Sequence, residues 1–220
     1  AQVIAIDLSL SSLSYAKRRI YELGIENVEL FQMDILEVNL LQKKFDLIEC
    51  SGVLHHMENP STGLHALLDV LKENGFLKLG LYSRSGRMDI IKGREYISTN
   101  NLQPNNEDIR RFREDVFSDN IKEISNLSNW GDFYTMSECR DLCFHTKEHQ
   151  FTIKQIKEIL SLHKLKFLGF LLPQSVKSIY RKYFQEDKKQ TNLQNWAKLE
   201  EKHPNTFREM YQFWVCKTKN

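Results

Sequence analysis

Two stretches decide the reading of this chain: Val3-Ile4-Ala5-Ile6-Asp7, and FDLIECSGVLHHMENP from Phe45 to Pro60. Each opens on a strand-like apolar run that lacks clean polar alternation, which is how strands covered on both faces of a sheet read. The first run closes on an acid. The second gives way to a turn and a pair of histidines. Between them, Leu13, Ala16, Ile20 and Leu23 recur at helical spacing from about residue 11, and Gly24 stands where a C-cap glycine belongs. A short strand at 28–31 follows and ends at Met33-Asp34.

Beyond Pro60 the alternation continues. Leu64, Leu67, Leu68 and Leu71 predict a helix over 61–72, Asn74-Gly75 a turn, and 76–82 a strand. Strands separated by helices predict a mostly parallel sheet covered on both faces, hence a doubly wound α/β fold. The stretch 83–150 breaks the pattern. It is polar, with helical pieces expected at 106–117 and 137–144, and a connection of that length reads as a lid or substrate-binding insertion. Regular alternation returns with a helix at 152–163, a strand at 166–172, helices at 176–184 and 193–202, and a last strand at 211–216. The expectation is one domain over 1–220: a cofactor-binding part at 1–82, a helical insertion at 83–150, and the rest of the sheet at 151–220.

Composition narrows the class. Apolar residues make up 41% and charged residues 27% of 220, ordinary for a globular protein. A formal charge of +2 gives no footprint for nucleic acid or an anionic membrane, and no run reaches the eighteen apolar residues of a membrane span. The four cysteines outline no short-range disulfide framework, so a cytoplasmic location is expected.

In this order and spacing the pieces resemble the class I S-adenosylmethionine-dependent methyltransferases. Motifs carry the likeness from Val3 to about Tyr82, and strand order alone from Phe151 to Cys216. The resemblance implies a Rossmann-like sheet with an antiparallel last strand and S-adenosylmethionine as cofactor. It makes Asp7, with Leu8 beside it, the ribose ligand, since a carboxylate can accept from two adjacent hydroxyls. Asp34 and Ile35 then meet the adenine, and Ser51, Gly52 and His55 line the methyl-donor pocket. The turn at Glu73-Asn74-Gly75 departs mildly from the family's Lys-Pro-Gly-Gly.

The larger departure is at the front. The family's first strand and glycine-rich turn have no counterpart, because none of the nine glycines stands where that turn belongs. The expectation is therefore an N-terminally truncated sheet, its missing strand belonging at the centre. The stretches GLYSRSGRMDI, EDIRRFREDVF and DFYTMSECRDLCFHTKEHQFT resemble a bacterial group of methyltransferase-domain proteins often fused to upstream tetratricopeptide repeats. That likeness implies a repeat region as a partner segment but names no acceptor.

Some candidates come from the residues themselves. His55 is the candidate general base, because imidazole titrates near neutrality, against the plainer reading of a packed loop histidine. Tyr82, Arg84, Tyr134, Arg140, His145 and His149 are the candidate acceptor contacts, with a small molecule or a protein as acceptor. Arg84, Arg87, Arg110, Arg111 and Arg113 suit an anion, although neighbouring acids on a helix explain the last three as a solvated face. Cys139, Cys143, His145 and His149 have zinc-like residue types, but one helical run points them in different directions, and no metal is expected. Two rival functions stand beside methyl transfer: a non-catalytic Rossmann-like module acting in protein interaction, and a nicotinamide-dependent dehydrogenase.

Overall fold

A computed structural model describes residues 1–118, 121–144, 148–208 and 210–218. Among the described residues, six strands form two separate sheets. In the first, β1 (Val3–Asp7) pairs in parallel with β2 (Val28–Gln32). The second has the order β3-β4-β6-β5, with β3 (Phe45–Ser51) parallel to β4 (Leu71–Tyr82). The last strand, β6 (Met210–Lys217), runs antiparallel between β4 and β5 (Leu165–Phe170). Among the described residues, no strand pairs with the second edge of β1 or of β3.

Local chemistry sets the element ends. Helix α1 (Leu10–Glu22) begins at Ser9, whose hydroxyl accepts from Ser12 N–H. It ends in a Schellman pattern, with Gly24 at φ +62° and bonds from Gly24 N to Tyr21 O and from Ile25 N to Ile20 O. Asn59 caps α2 (Pro60–Val70), with proline in the first turn. The helix stops two residues earlier than its leucine pattern predicts, because Leu71 is buried and pairs with Phe45 as the first residue of β4. The predicted Asn74-Gly75 turn becomes an irregularity inside that strand, where the register jumps between Phe45 and Leu47.

Two hydrophobic cores result. The main one packs α2, α7 (Ile153–Leu162) and α9 (Leu193–Lys202) on one face of the four-stranded sheet, through residues such as Leu67, Leu79, Ile156, Trp196 and Phe213. Tyr180 of α8 (Gln174–Tyr183) stacks on Trp196 at 4.0 Å. The second core lies within the inserted stretch, among α3 (Met88–Thr99), α4 (Asn106–Phe117), the short α5 (Lys122–Ser125) and α6 (Met136–Cys139), and the π-turn Arg140–Phe144. Ile90, Ile109, Phe112, Leu127 and Phe133 fill it. The helix expected at 137–144 is thus broken into α6 and a π-turn. Rather than a loose cover, the insertion is a helical unit with its own interior. Among the described residues, no helix is long and apolar enough to cross a membrane.

Candidate active site

Each of the four parallel strands presents a candidate residue at or just past its carboxyl end: Asp7 on β1, Asp34 after β2, Ser51 on β3 and Tyr82 on β4. Ligands gather at this end of an open α/β sheet. Asp7 is exposed. Its Oδ1 accepts from Ser9 N–H at 2.8 Å, fixing the turn into α1, while Oδ2 has no hydrogen bond among the described residues. Leu8 is 65% exposed, and its carbonyl accepts from Gln32 Nε2. Asp34 caps the 3-10 turn Ile35–Leu41 through Leu36 N–H, and Ile35 is half-buried against the main core. Ser51 is exposed. Gly52 holds φ +79° with open space where a side chain would start, so glycine sets the turn out of β3.

The histidine loop packs inward. His55 is completely buried, and neither ring nitrogen has a hydrogen-bond partner. Its ring stacks on Tyr82 with centroids 3.6 Å apart and meets His56 edge-on at 4.4 Å. Burial, then the neighbouring His56 and Arg87, hold its pKa down at about 3, against opposing pulls from Glu148 and a weak approach to the Gly80 backbone. A ring so buried has the surroundings of the packed loop histidine that was the plainer expectation.

Beside this stack lies an ion-pair cluster. Glu148, its side chain 1% exposed, accepts from Arg87 Nε and NH2 at 2.9 Å each and from Arg94 NH2 at 2.9 Å. Burial alone would raise its pKa, but Arg87 and Arg94 outweigh it and hold the carboxyl below the usual value. The Arg87 guanidinium lies 3.7 Å from the centre of the Tyr82 ring. Burial pushes the Tyr82 phenol up.

The expected acceptor contacts do not converge. Tyr82 meets His55 through its ring, but Arg84 is exposed and joins the region only through its N–H on Phe151 O. His149 likewise contributes backbone, donating to His55 O at 2.7 Å while its side chain is exposed. Tyr134 is 58% exposed and donates to Ser128 O. Arg140 is spent on Pro104 O and Asn106 Oδ1. Both lie in the helical unit and serve its own structure. His145 falls outside the described residues. Cys139 and Cys143 are buried in the second core, where a hydrogen bond from the Cys143 thiol lowers the Cys139 pKa and correspondingly raises that of Cys143. In the sequence Glu148 is one acid within the Cys139–His149 run and Arg87 one of several arginines. Their pairing spans 61 residues, and no local pattern announces it.

A family model described as a methyltransferase domain matches residues 1–190. The chain belongs to that family. This methyltransferase domain is 29% identical over 178 residues to an uncharacterized protein of Synechococcus sp., covering 77% of this chain and 43% of that protein. It is 26% identical over 156 residues to the mitochondrial ubiquinone biosynthesis O-methyltransferase of Schizosaccharomyces pombe, covering 70% of this chain and 54% of that enzyme. The chain thus spans about half the length of these curated relatives.

Among solved structures, the domain superposes on PKMT2 from Rickettsia typhi in complex with AdoHcy with a TM-score of 0.72 at 18% identity, over 99% of this chain and 44% of that one. It also superposes on an S-adenosylmethionine-dependent methyltransferase from Clostridium acetobutylicum with a TM-score of 0.52 at 16% identity, over 100% of this chain and 76% of that one. These likenesses establish the class I methyltransferase fold for the domain.

Proposed function

We propose that this domain transfers a methyl group from S-adenosylmethionine to a small-molecule or protein nucleophile. The observation that carries the reading is the placing of Asp7, Asp34, Ser51 and Tyr82 at or just past the carboxyl ends of two parallel strand pairs in a methyltransferase-family chain. The donor set suits the cofactor. Asp7 keeps one carboxylate oxygen for a ribose hydroxyl, Asp34 and Ile35 stand where an adenine would lie, and the open turn at Gly52 leaves room beside Ser51. When bound, the cofactor supplies an already activated methyl group for in-line displacement at a sulfonium.

The chain's own contribution is then alignment and exclusion of water. The stack of half-buried Tyr82 on buried His55 gives the pocket a wall, with His55 neutral. The acceptor nucleophile loses its proton to solvent and not to this ring. Tyr82 is the acceptor contact that the geometry favours, and Arg84 and His149 stand at the rim, where their exposed side chains can meet a ligand.

The cradle is completed, on this reading, by one further parallel strand with a glycine-rich turn, pairing with the free edges of β1 and β3 and joining the two sheets. Calorimetry with S-adenosylhomocysteine tests both parts. The chain alone should bind weakly, and the same chain carrying a strand–turn–helix unit ahead of Ala1 should bind at micromolar strength. No binding by the supplemented protein would defeat the methyl-transfer reading. Tight binding by the chain alone would defeat the proposal of an added strand.

A further inference from the structure

The helical unit packs chiefly on itself: α3 contacts α5 and the turns at Asn126–Asn129 and Arg140–Phe144, and α4 contacts α5 and α6. Its core shares no residue with the main core. The chain leaves β4 through 83–87 and returns along 148–151, and these two segments meet. Ser83 bridges Phe151 in parallel. Phe151 N–H donates to Tyr82 O at 2.9 Å, Arg84 N–H to Phe151 O at 2.9 Å, and His149 N–H to His55 O at 2.7 Å. One strap therefore lies across the end of β4 and the histidine loop at once.

We propose that Glu148 is the positioning residue of this wall: its carboxylate, gripped by Arg87 and Arg94, pins the strap 148–151 and through it fixes the Tyr82–His55 stack. Arg87 is 4% exposed, and its guanidinium is held between Glu148 and the Tyr82 ring, so moving the carboxylate releases Tyr82 from that contact. Arg94 ties the same carboxylate to the helical unit, donating also to Leu142 O at 2.8 Å. The charged and titratable groups facing His55 are His56 on its own turn, Tyr82 from β4, Arg87 from the outgoing segment and Glu148 from the strap. All but His56 depend on this one cluster for their placement. That the wall faces an acceptor rests on the methyl-transfer reading; that Glu148 sets its geometry does not.

Nuclear magnetic resonance on the whole chain, without any ligand, separates positioning from simple charge compensation. In the native protein the His55 ring should not titrate between about pH 8 and 5. In Glu148→Gln it should titrate with a midpoint returning towards about 6.5. The His149 and Phe151 amides should exchange about tenfold faster or more, relative to the Leu67 amide of α2 as internal reference. Arg94→Gln, which removes the more accessible of the two cations, should shift both readouts the same way by about threefold in exchange rate, and it decides the matter if Glu148→Gln does not fold. A His55 ring that stays silent, with unchanged relative protection of both amides, overturns the proposal. Separate failure to bind S-adenosylhomocysteine would count against the methyl-transfer reading alone.

Discussion

The two halves of the candidate site are built differently. Residues 1–34 carry its clearest motif, yet none of them enters either hydrophobic core. No residue of α1 is fully buried, and Leu8, Leu10, Tyr15, Tyr21 and Leu23 are all 60% exposed or more. On the other side, the walls around Tyr82 sit between two filled cores, and His55, Ser83 and Arg87 are almost completely enclosed. The Asp7 side is thus a set of exposed groups on a lightly anchored pair of strands. The Tyr82 side is enclosed. Motif legibility and packing are separate properties, and here they fall on opposite sides of one site.

That contrast can be broken first where it should be strongest. Phe213→Ala, at a fully buried position in β6, should cost about 3–5 kcal/mol in urea unfolding. Glu148→Ala should cost a comparable amount, about 3–5 kcal/mol, because it strands Arg87 without its counter-ion in a buried setting. A loss under about 1 kcal/mol from either would show that the Tyr82 side is not the tightly packed half.

A pH series sharpens the comparison at intermediate size. His55 is neutral in the folded chain down to about pH 3, whereas the unfolded chain takes up its proton near pH 6.5. The unfolded state therefore binds more protons between those values. The stability this group contributes is complete above about 6.5 and is lost as pH falls, by about 1.4 kcal/mol per unit. Glu148, with its pKa lowered, adds a loss only below about 4.5, but His163, lowered by burial, and Glu200, raised by burial, also contribute to the slope, so His55 is read from the difference between the native chain and a His55 variant. Denaturant unfolding of His55→Phe should show a flatter slope than the native chain from about pH 6.5 to 5. Equal slopes would mean that His55 titrates freely.

The smallest effects belong to the other half. Leu10→Ala and Tyr21→Ala, at 61% and 86% exposure, should each change stability by less than about 0.5 kcal/mol. A larger loss would mean that something packs on α1.

How far the sequence carried the reading follows the same division. The α/β alternation and helices α4 and α9 were legible, because apolar spacing is a local signal, and the antiparallel last strand followed from the family resemblance. The placing of Asp7 and Asp34, each closing a strand, was legible too. The end of α2 was missed because the burial of Leu71 is a tertiary effect that overrides helical spacing. Residue type made Tyr134 and Arg140 candidate acceptor contacts, while their partners, Ser128, Pro104 and Asn106, lie within the helical unit and are set by tertiary folding. The Arg87–Glu148–Arg94 cluster depends on folding brought about by two cores, and no pattern of spacing contains it.

Asp7 is the residue on which the proposed cofactor site depends most. With the strand–turn–helix unit supplied ahead of Ala1, the affinity for S-adenosylhomocysteine should fall at least about tenfold in Asp7→Ala, the loss expected for charge-assisted hydrogen bonds. It should stay unchanged in Asp46→Ala, a control whose carboxylate pairs with Lys72 at the far end of β3. Equal affinities for the native and Asp7→Ala proteins would contradict the assignment of this site.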